Sequence, residues 1–367
     1  MTAPASLLLL SLVVLAVCAL SLLLLTVQAR VIRRRRARAV ERVQGRWRGL
    51  LLEVASGEDE EGRACQALAE VSDKEWRRLR PAVVALLGKV RGRPAAELSL
   101  VLAAHGDLDR ARAALASSRA GSRARAAHLL GLARDVDSLE ELRALLLDPS
   151  QDVRVVATRS LGLIGDPSAA PDVLAAAGTR SEQGVGEPGL PAWVAAETLL
   201  RLGQEAQGAV AQAIAAPDAA TRAVAAQVAW HGGYRGAVPL ARTCLHFETE
   251  AGTREALLHL LGTMGEDADF PVLSAYTHPL APIRLRRAAV SALGELATEE
   301  SRRHLADLLD DDDRSIAIAA GDALAASGAP GLEALTAAQR GQGRSRRVAA
   351  SALHLARLRE EVTREVA

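Results

Sequence analysis

The fold turns on the stretch Asp152–Asp166, DVRVVATRSLGLIGD. Ala157 and Leu161 stand four residues apart, a step that places side chains on one face of a helix. The glycine after Leu161, Gly162, is a small residue where a second helix can approach. Gly165 suits the left-handed conformation that closes a helix. Asp166 and Pro167 then open a new element.

The same pattern recurs along the chain. Comparable stretches begin at Arg123, Ala192, Thr221, Thr253, Arg286, Ala317 and Arg346. Taking Gly162 as a ruler, its counterparts are Gly131, Leu200, Ala229, Gly262, Gly294, Ala325 and His354, at spacings of twenty-nine to thirty-eight residues. Val101 extends the series upstream, and the region near Ala69 reads as a degenerate unit. An apolar residue precedes the ruler in every unit: Leu130, Leu161, Leu199, Val228, Leu261, Leu293, Leu324 and Leu353. Four positions earlier stand Ala126, Ala157, Ala195, Val224, Leu257, Ala289, Ala320 and Ala349. Each unit therefore reads as two short helices whose shared face is too small to be buried alone. Stacked neighbours must complete the core. Gly165, Gly203, Gly232, Gly265 and Gly328 are expected to be left-handed helix ends.

Composition agrees with an all-α chain. Aromatic residues make up 2 % of the 367 residues, against the larger share of aromatic and β-branched side chains that a sandwich or barrel would use. The three cysteines lie far apart and form no C-x-x-C, so neither a disulfide framework nor a zinc site is indicated.

Asp152–Asp166 meets almost the whole of a consensus in which a turn Asp is followed by V-R-x-x-A and then L-G-x-I-G-D. The chain thereby resembles HEAT repeats, specifically the short bacterial type also seen in phycobilisome-lyase-like proteins. The resemblance covers roughly residues 93–360. It implies an α-solenoid of about eight to ten helix pairs and a binding scaffold rather than one reaction. Members known as lyases attach bilin chromophores, but no residue pattern here marks such a site. The resemblance also implies that a turn Asp pairs with the Arg opening a second helix. Asp152, Asp218 and Asp313 are the expected partners, standing within four residues of Arg154, Arg222 and Arg314.

Residues 7–27, LLLLSLVVLAVCALSLLLLTV, contain no charge, Pro or Gly. About 20 helical residues span a bilayer's hydrocarbon core. A cleaved leader is disfavoured, because no positive charge precedes the run and its length exceeds the usual apolar region. Nine arginines and one glutamate follow between Arg30 and Arg48, while the remainder of the chain is net acidic. By the positive-inside rule this collar stays in the cytoplasm. The expected organisation is an anchor over 1–29, an Arg-rich collar over 30–48, a helical connector or degenerate repeat over 49–92 and the solenoid over 93–367. The localisation that follows is single-pass in a bacterial inner membrane with a cytoplasmic C-terminal body. Arg33, Arg34, Arg35, Arg36 and Arg38 would meet anionic lipid head groups. Trp47 either lies at the interface or packs on the first helix of the body.

No phosphate-binding loop, H-E-x-x-H or Ser-centred elbow occurs, so no catalytic, cofactor or metal residue is assigned. Asp310–Asp313 sits where other repeats turn, and Asp313 reads as a helix cap rather than a calcium ligand. The acidic body and scarcity of stacking aromatics disfavour nucleic acid.

The column three residues before the ruler is polar and mixed: His128, Arg159, Glu197, Ala226, His259, Ser291, Asp322 and Ser351. Four residues further back, on the same face, stand Ala124, Val155, Trp193, Arg222, Glu255, Arg287, Ile318 and Arg347. Such a face fits the inner surface of a solenoid. The candidate partner-binding residues are thus His128, Arg159, Trp193, Glu197, Arg222, Glu255, His259, Arg287, Asp322 and Arg347. Gly178–Pro191, rich in Gly and Pro, is expected to be an exposed loop. The expectation is a non-enzymatic scaffold for a cytosolic protein or the cytoplasmic part of a membrane complex. A lyase-like enzyme and a phosphate or nucleic-acid binder are the alternatives.

Overall fold

The computed structural model describes residues 23–24, 26–28, 30, 40–178 and 189–366. Among these the secondary structure is wholly helical. Contacts divide the chain into two units, Met1–Ala113 and Ala114–Ala367. No helix among the described residues is long and apolar enough to cross a membrane. Residues 7–22 of the apolar run lie outside them, as do Arg33, Arg34, Arg35, Arg36 and Arg38 of the collar.

The first unit contains α1 (40–56), α2 (Arg63–Ala69), α3 (Asp73–Leu87) and α4 (Arg93–Ala104), and α5 (Asp107–Leu115) runs out of it. Asp59 is buried and accepts hydrogen bonds from the backbone N–H groups of Ala64 and Cys65 at 3.2 and 2.8 Å, which satisfies the open donors at the start of α2. α2 and α3 pack on α4. The Trp76 ring stacks on His105 at 3.8 Å, and its Nε1 donates to buried Asp107 at 2.8 Å. Trp47 is half-buried on α1.

The second unit is two rows of helices. The even row is α6 (Ala120–Ala133), α8 (Gln151–Ile164), α10 (Ala192–Leu202), α12 (Ala219–Gly232), α14 (Ala251–Met264), α16 (Ile283–Leu296), α18 (Arg314–Ala326) and α20 (Gly343–Val366). The odd row is α7 (Leu139–Ala144), α9 (Ala170–Gly178), α11 (Gln207–Ala213), α13 (Val238–Phe247), α15 (Phe270–Ala275), α17 (Glu299–Asp307) and α19 (Ala329–Gln339). From α6 to α18 each even helix packs on the next even helix, and from α8 to α20 each packs on the odd helix before it. This is the stacked helix-pair, solenoid-like arrangement that the repeat predicts. All sixteen residues of the two apolar columns, from Ala126 and Leu130 to Ala349 and Leu353, are buried.

Where the ruler residue is glycine, it proves to be a point of helix contact. A methyl group on Gly131 would lie 2.6 Å from the Cα of Ser160 on the next even helix, and one on Gly262 would lie 2.5 Å from the Cα of Ala292. In both cases the residue met stands two before the next ruler. Real Cβ atoms do not approach backbone so closely, so the neighbouring helix could not seat against a side chain here.

Helix ends depart from expectation at four of the five glycines: Gly203 and Gly328 have positive φ, 72° and 78°, but ψ of −155° and −158°, outside the left-handed helical region. Gly165 is left-handed at φ 83°, as expected. At α12, however, Gly233 takes the left-handed cap at φ 67°, and Gly232 is the last helical residue. Gly265 has φ −75°. Its lack of a side chain serves packing instead, since a methyl group there would lie 2.2 Å from the Leu261 carbonyl oxygen.

The pairing of the turn acids is also different. Asp218 and Asp313 cap α12 and α18 by accepting from the N–H groups of Thr221 and Ser315, at 2.7 and 2.8 Å. The arginines reach an acid in the following repeat. Arg123 binds Asp148 through Nε and Nη2 at 2.6 and 2.8 Å, Arg222 binds Glu248 at 2.7 and 3.1 Å, and Arg286 meets Asp311 at 2.5 Å. These acids lie 25, 26 and 25 residues downstream. Each also accepts from the N–H of its own turn, so one carboxylate caps its own turn and tethers the neighbour. Arg123 and Arg222 complete the link by donating to Ser117 and Ala216 carbonyls at 2.8 and 2.9 Å. Burial raises the carboxyls of Asp148 and Glu248, but the arginine and backbone hydrogen bonds outweigh it and hold both below the usual carboxylate range.

Candidate partner-binding face

The polar columns lie on the even-row helices, beside the buried columns and one turn removed from them. Stepping by three or four residues keeps these side chains on one stripe of each helix. The structure sorts eight of the ten candidate residues into two groups, withdraws Arg222 and leaves His128 apart.

The first group lies on α8 and α10. The Arg159 guanidinium stands 5.0 Å from the centroid of the Trp193 ring. Trp193 is 59 % exposed, a large apolar surface to leave in water. Arg159 Nε also lies 3.8 Å from Glu197 Oε2, and Glu197 accepts from Arg201 at 2.9 Å. Three candidates from the sequence thus meet in one cluster.

The second group lies on α14 to α20. Glu255, His259, Arg287 and Asp322 line a groove of 1110 Å³. Asp322 also belongs to an adjoining depression of 710 Å³, where Arg347 stands. Glu255 accepts from Arg284 at 2.5 Å, and Asp322 lies 3.8 Å from Arg359. His259 stacks on Trp230, ring centroids 4.4 Å apart and nearly parallel, with its Nδ1 3.9 Å from Glu295. Glu295 in turn accepts from the Thr263 hydroxyl at 3.0 Å, which joins α14 to α16.

Arg222 does not stand on this face. Its guanidinium turns into the pair with Glu248, whose side chain is fully buried. His128 is exposed on α6, with no hydrogen bond or ion pair to either group among the described residues.

Trp230, Thr263, Glu295 and Leu355 also belong to the face. The sequence held the signal that finds them. Each stands one residue after the ruler, four beyond the first polar column, so one more helical turn adds the missing stripe. Ile283 and Arg359 lie one further turn along the same stripe, four residues before Arg287 and four after Leu355, whereas Arg284 carries no such mark.

No group of three or more His, Cys, Asp or Glu among the described residues could hold a metal ion. Cys65 and Cys244 are free, and burial raises both thiols above the ordinary value, the direction opposite to that of an activated nucleophile.

The helix-pair stack of the second unit, with polar side chains along its even row, defines a solenoid-like repeat arrangement. Residues 108–186 match the family model for HEAT repeats. No curated protein matches the sequence. Among solved structures, the crystal structure of Kap121p is similar with TM-score 0.48 and 12 % identity, over 72 % of this chain. This chain spans 34 % of Kap121p. The complex of CpcE and CpcF of phycocyanin lyase from Nostoc sp. PCC7120 has TM-score 0.30 and 20 % identity, over 68 % of this chain and 94 % of that one. Human deoxyhypusine hydroxylase in complex with glycerol has TM-score 0.29 and 18 % identity, over 77 % of this chain and 98 % of that one.

Proposed function

We propose that the chain is a non-enzymatic scaffold that holds a protein partner along the even-row face. The observation that carries this reading is the convergence of exposed aromatic, apolar and mixed-charge side chains on one stripe of successive helices. Trp193 at 59 %, Ile283 at 46 % and Ile318 at 45 % exposure are flanked there by Arg159, Glu197, Arg287 and Asp322. Aromatic and arginine anchors with a polar rim are how protein interfaces are built.

The reading includes a membrane tether. Residues 7–27 would cross a bacterial inner membrane once, the arginines from Arg33 to Arg38 would lie against anionic head groups, and the repeats would stand in the cytoplasm. The supports are the charge-free apolar run and the one-sided arginine flank.

Photo-crosslinking in cells tests the docking face. A benzophenone amino acid at Trp193, Ile283 or Ile318 should give one discrete protein adduct, whereas the same group at Arg303 or Glu333 on the odd row should not. Equal labelling from both rows overturns the reading. Topology is tested separately by a phosphatase fused after Ala367, which should be inactive. Periplasmic activity would refute the cytoplasmic assignment and leave the docking face standing.

A further inference from the structure

The even-row face is not electrostatically uniform. Between α16 and α20 it carries six arginines, three of them occupied: Arg284 with Glu255, Arg359 with Asp322 and Arg344 with Asp312. Arg287, Arg314 and Arg347 are exposed, and among the described residues their guanidinium groups make no ion pair and no hydrogen bond. They occupy three successive helices, so they form a line across the repeats rather than along one helix. Each helix also exposes an apolar side chain on the same face: Ile283, Ile318 and Leu355, at 46, 45 and 45 %. Ile283 and Ile318 stand four residues from Arg287 and Arg314, one helical turn away. All except Ile283 and Arg287 line the 710 Å³ depression, and those two line the 1110 Å³ groove that shares Asp322 with it.

We infer that this strip is a docking site for an acidic, apolar peptide segment of a partner protein. The inference rests on the scaffold reading above and narrows it to one place and one partner chemistry. Charge complementarity selects the occupant. An exposed, unpaired guanidinium offers several donors in a fixed fork that matches a carboxylate. The body beyond the collar is net acidic, so a local basic strip is where an acidic segment would be steered and where a basic one would be repelled. The three apolar side chains separate this from a plain anion site. Phosphate or nucleic-acid backbone would leave Ile283, Ile318 and Leu355 in water, whereas a segment with leucines on one helical face and glutamates elsewhere would cover them.

The test uses the full chain in nonionic detergent and a fluorescein-labelled peptide of about fourteen residues, with leucine at helical spacing and glutamate elsewhere. Two control peptides replace every glutamate by lysine, or every leucine by serine. Fluorescence anisotropy should show saturable binding of the first peptide, at least about tenfold weaker binding of both controls, and weakening with added salt. Arg287→Glu, Arg314→Glu and Arg347→Glu combined should lower affinity at least about tenfold with helicity unchanged. The single variants Arg314→Gln and Arg347→Gln provide the same reading if the triple variant folds poorly. Absence of binding, equal binding of the lysine peptide, or unchanged affinity in the variants overturns the inference. Binding of the serine peptide equal to that of the parent, or displacement of the parent by inorganic phosphate or phosphatidylglycerol vesicles, also overturns it, because the strip is then an anion surface. If crosslinking from Ile318 captures a partner through a basic or neutral segment, the scaffold reading survives and this inference fails.

Discussion

At the scale of single residues, glycines of one type in the sequence do unlike work in the structure. Gly121 and Gly131 both lie in α6, but a methyl group on Gly121 meets nothing within 4 Å, whereas one on Gly131 meets the Ser160 Cα at 2.6 Å. Gly121→Ala should therefore stabilise by about 0.5 kcal/mol, by restricting the unfolded chain and improving helix propensity. Gly131→Ala should destabilise by about 2 kcal/mol, because the α8 backbone would have to retreat. Urea unfolding of the two variants measures both signs. The repeat ruler marked Gly131 as a constant of the pattern. It did not reveal the contact, because Ser160 belongs to the next repeat and its distance is set only when the helices stack.

Between elements, the ladder of arginines and acids decides how one repeat is held to the next. Glu248 has a fully buried side chain, accepts two bonds from Arg222, and accepts from the N–H groups of Thr249 and Glu250. Glu248→Ala should cost about 3 kcal/mol in chemical denaturation, since a partly buried guanidinium is left without its partner. The arginines and the acids were each visible in the sequence, but their pairing was not. The residues closest in sequence, Asp218 and Asp313, are spent on helix caps, and a separation of 25 or 26 residues becomes a contact only through the stacking period.

The same elements set the response to acid. Asp148, Glu248 and Asp269 are held below the usual carboxylate range, so they bind protons less readily folded than unfolded. Their stabilisation is complete above their unfolded values, near pH 4, and is lost as pH falls through the lower folded values. His304 on α17 adds an earlier step. Burial lowers its value, against a smaller opposing pull from Asp307, and its Nε2 lies 2.8 Å from the Thr277 hydroxyl. A histidine that resists protonation when folded stabilises the protein above its unfolded value, near pH 6.5, and loses that contribution as pH falls below it. Thermal melts of wild-type protein should therefore fall between pH 7 and 5.5, and His304→Gln should flatten that limb while leaving the carboxylate limb in place.

Across the whole second unit, stability is a property of neighbours. The period, the buried columns and the two-helix unit were legible from composition and spacing alone, because each repeats eight times and one repeat's exceptions are outvoted. The candidate face was only half legible. Its columns follow from helical geometry, but Arg222 is drawn into an ion pair that only the neighbouring turn supplies, and Arg284 joins the groove from a position that the period does not mark. A stack whose helices touch mainly their neighbours should also fail locally. Asp311 tests this, since its carboxylate accepts from Arg286 and the Asp313 N–H while its carbonyl accepts from Arg344, joining α16, α18 and α20 through one turn. In Asp311→Ala, the 6 % exposed Arg286 side chain loses its carboxylate and keeps only the Thr277 carbonyl, and opening of these helices becomes easier by about 3 kcal/mol. Amide hydrogen exchange should accelerate about a hundredfold across α16 to α20 and hardly change in α6 and α8. Uniform acceleration through the unit would instead mean that the repeats open as one cooperative block.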